Sequence, residues 1–410
     1  MTALGARASR ALEPLGDRLS PILVKEVRQA LRGRYFRNLF WFTLCGATLV
    51  GILVVSRAVA AGELATAGPN VFVAFAWILA IAVHGFVPLS AFISTSAEWD
   101  ENTYDLLVLS NLRPRQLVLG KLASTVIQAL LFYSAFGPLL VFAFLLHGVD
   151  LLSIGVMLGC SVVVSASLSV AAIALSTLAR GRFTRIVLLG ALAAGLVAIT
   201  LMTGGMASFL VHMPQMMRSP DFLSGILVFL SCFLALGMIS FPVACARLAH
   251  EEENVSSGLR VMSLVLLTGG LAWALYLYRT SGDEEHVPGF VLSALVINLV
   301  PLLFYATERE PLGRRTRLRV PARRALALAQ APFLPGGGRG ILFLALYSAL
   351  ALAGAWLILS FPATASSTKD IAGAKAMVAV GLAYAWIWIG IPAGIGSYFA
   401  RSLAARSAVR

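Results

Sequence analysis

A chain of 410 residues that is 59% hydrophobic and only 12% charged, with a mean hydropathy of +0.86, cannot be an ordinary soluble globular protein. Its apolar residues fall in long runs, and about 20 such residues in a helix span ~30 Å of hydrocarbon, so the expected fold is all-α and polytopic, without the alternation of a β-barrel. The formal net charge of +13 is gathered between the apolar runs, where it orients a membrane protein, and this excludes nucleic acid as the expected partner.

Residues 1–19 are small, polar and mixed in charge, and eight basic residues precede the first apolar run, which is not the layout of a signal peptide. Ser20 and Pro21 make a helix start, an N-cap followed by proline at the first position. From there to residue 37, Leu23, Val27, Ala30, Leu31 and Tyr35 form an apolar stripe, with Lys25, Arg28, Arg32, Arg34 and Arg37 on the other side. A helix of this pattern lies flat on the inner leaflet. The plainer alternative is a block of positive charge that only sets orientation.

About ten transmembrane helices are expected, near 38–58, 70–95, 122–146, 151–178, 186–210, 222–247, 261–278, 289–307, 341–360 and 375–399. With the N-terminus inside, 27 of the 32 Lys and Arg residues fall on the inner side and 5 on the outer side. Adding or removing one span would reverse the assignment of every loop beyond it, so the charge split independently supports this count. Both termini are expected to be cytoplasmic, in the plasma membrane or, for a bacterium, the inner membrane. The chain divides into an N-terminal region (1–37), a six-span core (38–248) and four further spans (249–410). The cysteines Cys45, Cys160, Cys232 and Cys245 all lie in apolar runs and read as buried hydrophobes, with neither disulfide nor metal-ligand spacing.

The loop 97–121, between spans two and three, is far longer than a tight turn needs. Tyr104, Leu107 and Val108 recur at helical spacing behind Glu98, Asp100, Glu101 and Asp105, with Asn102 and Thr103 as helix-start residues. Four carboxylates suit the positive end of a helix dipole, so the stretch reads as a short acidic helix. Pro114 then opens a second helix that runs into span three. A solvated loop helix is the plainer alternative.

This stretch resembles the region between spans two and three of type-2 ABC transporter permeases. The match is carried by Glu98, Asp100, Thr103, Asp105, Leu106, Leu107, Ser110, Leu112, Pro114, Arg115, Leu117, Gly120 and Lys121. Asn102 stands where the family has Gly, and Trp99 where it has Arg. The run PILVKEVRQALRGRYF is similar to the interfacial helix before the first span of such permeases. The resemblance covers roughly residues 20–248. It implies that Glu98, Asp100, Glu101, Thr103, Asp105, Leu106, Leu107, Val108, Pro114 and Arg115 form a coupling helix that docks on a separate ABC ATPase subunit. It also implies a second permease protomer, identical or closely related, and export as the direction. No cofactor is then expected in this chain, since ATP and Mg would be held by the partner ATPase.

Further along, HMPQMMRSPD after the Gly204-Gly205 pair is either a simple loop or a pair of short helices dipping back into the membrane. Glu251, Glu252 and Glu253 read as a solvated loop balancing Arg247 and Arg260. The loop 308–340 carries Arg314, Arg315, Arg317, Arg319, Arg323 and Arg324, a density expected to hold it against anionic lipid. Pro335 and Gly336–Gly338 then act as a flexible hinge into span nine. A phosphate-binding loop is rejected here because Ile341 follows Gly340 with no Lys-Ser/Thr, and also at Gly120-Lys121, where Leu122 follows.

None of the 19 carboxylates falls at membrane depth, which argues against ion-coupled transport. His84 has no second His or acid to make it a ligand or a base, so it reads as a hydrogen-bonded packing residue. The hydroxyls of spans three and four, Ser161, Ser165, Ser167 and Ser169 among them, read as close-packing residues. Pro88, Pro138, Pro242, Pro301 and Pro392 are each expected to free a carbonyl and kink a helix. The leading function is therefore the permease subunit of an ATP-driven transporter. A non-transporting membrane scaffold with the same fold is the alternative, and an intramembrane enzyme lacks a catalytic constellation. Single cysteines placed at Ser110 and Ser366 should label from opposite sides of the membrane; equal accessibility would sink the ten-span topology.

Overall fold

A computed structural model of the chain describes residues 21–62, 67–100, 114–146, 149–179, 181–213, 219–248, 256–281, 286–307, 323–360, 373–384 and 386–387. Among these residues the secondary structure is helical, with no strand. Eight helices are long and apolar enough to cross a membrane, which makes this a multi-pass helical chain. Of the ten spans expected, 289–307 falls on the 22-residue helix His286–Thr307, and 375–399 is represented by the shorter apolar helix Gly373–Tyr384. Contacts divide the chain into two compact units, Met1–Leu248 and Ala249–Arg410.

In the first unit α1 is Pro21–Arg32 and α2 is Arg34–Ala61. The amphipathic helix thus stops earlier than the expected residue 37. Gly33 is not helical (φ −56°, ψ 131°), and Arg34 and Arg37 belong to the first turns of the spanning helix. Helix α3 is made of Ala67–Ala80, a π-helical stretch Ile81–Phe86, and Val87–Asp100. Pro88 has no N–H to offer the carbonyl four residues back. Just before it the helix widens, and the Val87 N–H donates to the Ala82 carbonyl five residues back. The kink expected at Pro88 is thereby absorbed as a π turn.

Helices α4 (Pro114–Leu145), α5 (Leu151–Leu178), α6 (Arg182–His212) and α7 (Pro220–Leu248) complete the unit. Two apolar clusters hold it together. One gathers Phe72, Phe75, Phe132, Phe136 and Leu140 around α3 and α4, the other Phe92, Val118, Val164, Ile173 and Leu196 around α3 to α6. Lipid offers helices no hydrophobic drive to associate, so small residues that allow backbones to approach carry the packing. Helix α5 does this: Ser165 Oγ donates to the Val83 carbonyl across the interface with α3 (3.3 Å), and Gly237 of α7 sits against Ser167, where an added Cβ would come within 3.2 Å. The sequence reading of these hydroxyls as packing residues agrees with this arrangement.

Gly204 and Gly205 both lie inside α6, and Gly204 makes room for the Trp77 ring of α3; a Cβ there would stand 2.4 Å from a ring carbon. Of the stretch expected to loop or dip back, residues 214–218 lie outside the described residues.

The second unit contains α8 (Ser256–Ser281), α9 (His286–Thr307), α10 (Arg324–Gln330), a 3-10 turn Ala331–Phe333, α11 (Gly337–Ser360) and α12 (Gly373–Tyr384). Tyr305, Phe343 and Tyr347 are wholly buried between α9 and α11, with Tyr305 and Phe343 edge to face at 5.3 Å. Glu251, Glu252 and Glu253, expected to balance Arg260, lie outside the described residues. Arg260 itself is fully buried in the first turns of α8, and its Nη1 donates to the carbonyls of Pro332 (2.7 Å) and Leu334 (2.6 Å). Its guanidinium lies 5.3 Å from the Tyr305 ring centroid and 5.9 Å from that of Phe343. A planar, weakly hydrated cation beside aromatic rings and bonded to carbonyls is well suited to burial. The glycine run also differs from expectation. Gly336 alone takes a left-handed backbone (φ 123°), Gly337 already begins α11, and the Gly340 N–H donates to the Gly336 carbonyl at 2.8 Å.

Gly204→Val should destabilise the first unit by ~1–3 kcal/mol, because the Trp77 ring must move. Gly205→Ala, with nothing within 4 Å of its Cβ, should be neutral. Thermal unfolding of the purified chain in one detergent, compared across both variants, checks the difference.

Candidate functional site

Two polar centres interrupt the apolar interior of the first unit. The first stands at the root of the loop between spans two and three. Lys121, about two turns into α4, is only 3% exposed. Its Nζ donates to Glu98 Oε1 of α3 at 2.6 Å and lies 3.7 Å from Glu26 Oε2 of α1. One buried ammonium therefore meets carboxylates from two other helices. Taking a charge out of water costs several kcal/mol unless a partner charge and hydrogen bonds offset it, so the lysine is tolerable only with its acids in place.

The local sequence explains how they get there. In α1 the acid sits within the apolar stripe, so it turns inward with that stripe while Lys25, Arg28, Gln29 and Arg32 stay exposed. In α4 Pro114 starts the helix, and Leu117, Val118 and Lys121 follow at helical spacing on its buried face.

The placement of Glu98 and Asp100 differs from the expected front end of a separate acidic helix. The apolar helix of span two runs on without a break, so both residues lie in the last turn and a half of α3. Glu98 is stabilised there by Lys121 rather than by a helix N-terminus. Pro114 is half-buried and Arg115 exposed at the start of α4. Glu101, Thr103, Asp105, Leu106, Leu107 and Val108 lie outside the described residues, as do Arg314, Arg315, Arg317 and Arg319. Arg323 is exposed just ahead of α10, and Arg324 is the first residue of that helix.

Glu26 is the residue that sequence reasoning passed over. The signal was present: it is the only acid in α1, and it occupies a position of the apolar stripe. An acid there requires a buried cation from another element, and Lys121 supplies it.

The second centre lies at the π-helical stretch of α3. His84 is 1% exposed, with Nδ1 3.2 Å from Thr203 Oγ1 of α6, and Nε2 3.0 Å from Ser161 Oγ and 3.2 Å from the Ser161 carbonyl of α5. Tyr133 Oη of α4 lies 2.8 Å from Ser161 Oγ. With the ring proton on Nε2, His84 donates to the Ser161 carbonyl and Thr203 O–H donates to Nδ1; with it on Nδ1, His84 donates to Thr203 Oγ1 and Ser161 O–H donates to Nε2. The chain of bonds ties α3, α4, α5 and α6 together. A cavity of about 20 Å³ adjoins it, bordered by Met157, Cys160 and Met206, and it is large enough for one water. Among the described residues no group of three His, Cys, Asp or Glu could hold a metal ion. The arrangement is a polar joint, which agrees with the sequence reading of His84 as a hydrogen-bonded packing residue.

Ser161→Ala removes the hydroxyl that both His84 and Tyr133 use, and should cost roughly 1–3 kcal/mol through the partners it strands. Ser167→Ala, at an equally buried site packed on Gly237, should change stability little; paired melting curves of the two variants measure the contrast. No family model, curated protein or solved structure matches this chain.

Proposed function

We propose that this chain is the membrane subunit of an ATP-driven transporter, an exporter, and that the segment between its second and third spans docks on a separate ATPase subunit. The motif from Glu98 to Lys121 carries the reading, and the observation that supports it is the ion pair between the motif's first and last residues. A loop that transmits force must not fray where it joins the spans. Glu98 and Lys121, 23 residues apart, clamp its two ends together at 2.6 Å, so a push on the loop reaches α3 and α4 jointly. Both helices continue into the polar joint around His84, where hydrogen bonds can be exchanged between neighbouring helices without exposing an unpaired charge.

In this reading the acidic residues Asp100, Glu101 and Asp105 guide encounter with a basic cleft, while Leu106, Leu107 and Val108 supply the buried anchors. ATP and Mg belong to the partner, and a second protomer completes the translocation path. The chain lies in the bacterial inner membrane with both termini in the cytoplasm, and the arginines from Arg314 to Arg324 rest on anionic lipid.

Leu107→Asp places an unpaired charge in a desolvated contact and should abolish association with the ATPase, a loss of several kcal/mol. Asp105→Asn should weaken association only in a salt-dependent way. The measurement is a pull-down of the ATPase by each variant at low and moderate salt, with stimulated ATP hydrolysis in lipid as the second readout. Full association and stimulation by Leu107→Asp would overturn the coupling role of this loop and leave a non-transporting scaffold as the better reading.

A further inference from the structure

Lys121 has two acids within ion-pair range and one positive charge to share between them. The two contacts are unequal, 2.6 Å to Glu98 and 3.7 Å to Glu26, although all three side chains are largely shielded from water. Unequal sharing has a mechanical meaning here because the acids belong to different elements. Glu98 is at the root of the loop. Glu26 is at the centre of α1, which packs along α4 and is joined to the spans only through Gly33.

We propose that Lys121 exchanges its close partner between Glu98 and Glu26, so that α1 is gripped or released according to the position of the loop. When Glu98 holds the ammonium closely, as it does in this structure, Glu26 keeps only the longer ion pair of 3.7 Å. When the end of α3 moves away, the ammonium closes on Glu26 and draws α1 against α4. The ammonium is held by the buried face of α4 and needs only a side-chain rotation to move from one acid to the other. Helix α1 is then a second output of the coupling stroke, beside the spans themselves. Its outer face, with Lys25, Arg28 and Arg32 exposed, moves with it relative to the lipid headgroups. What drives the exchange rests on the coupling function proposed above; the exchange itself is a property of this chain alone.

The test is hydrogen–deuterium exchange over residues 21–32 in the purified full-length chain, reconstituted in lipid nanodiscs with no ATPase present. Glu26→Gln removes the tether and should speed exchange in α1 about fivefold, the change that ~1 kcal/mol of opening energy produces. Glu98→Gln frees the ammonium for Glu26 and should slow exchange in α1 by a similar factor. The double variant leaves the ammonium without either acid and should exchange in α1 at least as fast as Glu26→Gln, and Glu98→Asp, which keeps the charge but withdraws it by one methylene, should repeat the slowing more weakly. If Glu98→Gln leaves α1 at the wild-type rate, the two acids do not compete and the proposal fails. If it speeds exchange, the three side chains form a fixed knot and the proposal fails equally. Since no partner subunit enters the sample, failure of the ATPase pull-down would leave this result standing, and failure here would leave the docking role of Leu107 untouched.

Discussion

A single buried ammonium governs how the first unit is put together at one end. Lys121 must be neutralised where it lies, and the acids that do so come from α1 and α3, so the amphipathic helix, the end of span two and the start of span three are fixed to one another by charge. Breaking such a pair by removing one partner costs roughly 3–5 kcal/mol, more than a typical packing substitution on the surface. The arrangement gains little in net stability over an apolar core of the same size. What it provides is register: the two acids and the lysine must stay within ion-pair reach of one another.

The remainder of the unit follows the same demand in neutral form. Inside hydrocarbon every donor and acceptor needs a partner, and the π-helical stretch of α3 changes which carbonyls have one. Ser165 reaches the Val83 carbonyl, and His84, Ser161, Tyr133 and Thr203 close a chain of hydrogen bonds that crosses four helices. Around these bonds the contacts are made by small residues, and Gly204 under Trp77 shows how little room is left. In the second unit Arg260 plays the organising part, holding the turn before α11 to α8 through two carbonyls and two aromatic faces.

The two units therefore use different cations for different tasks. Lysine, a compact charge with rotatable donors, sits between two acids at the base of a loop. Arginine, planar and always charged, lies beside two aromatic rings and is bonded to two backbone oxygens.

The sequence alone determined the helical, membrane-spanning class and the approximate placement of the apolar helices, because hydrocarbon thickness and backbone hydrogen bonding leave a chain of this composition no other structure. It also marked α1 by its periodicity and the start of α4 by Pro114. The tertiary structure decided where charges find their partners. Glu26 reads locally as one acid among basic residues and Arg260 as a charge at a loop's edge, and each meets a partner at least 70 positions away in the chain, just as the need for glycine at 204 comes from Trp77. Glu98 was legible as part of a motif, but not as the closing end of a clamp, since its partner is set by how α3 and α4 pack. Helical periodicity is a property of neighbours three and four residues apart, whereas the cost of a buried charge is decided by whatever the fold places within about 4 Å of it.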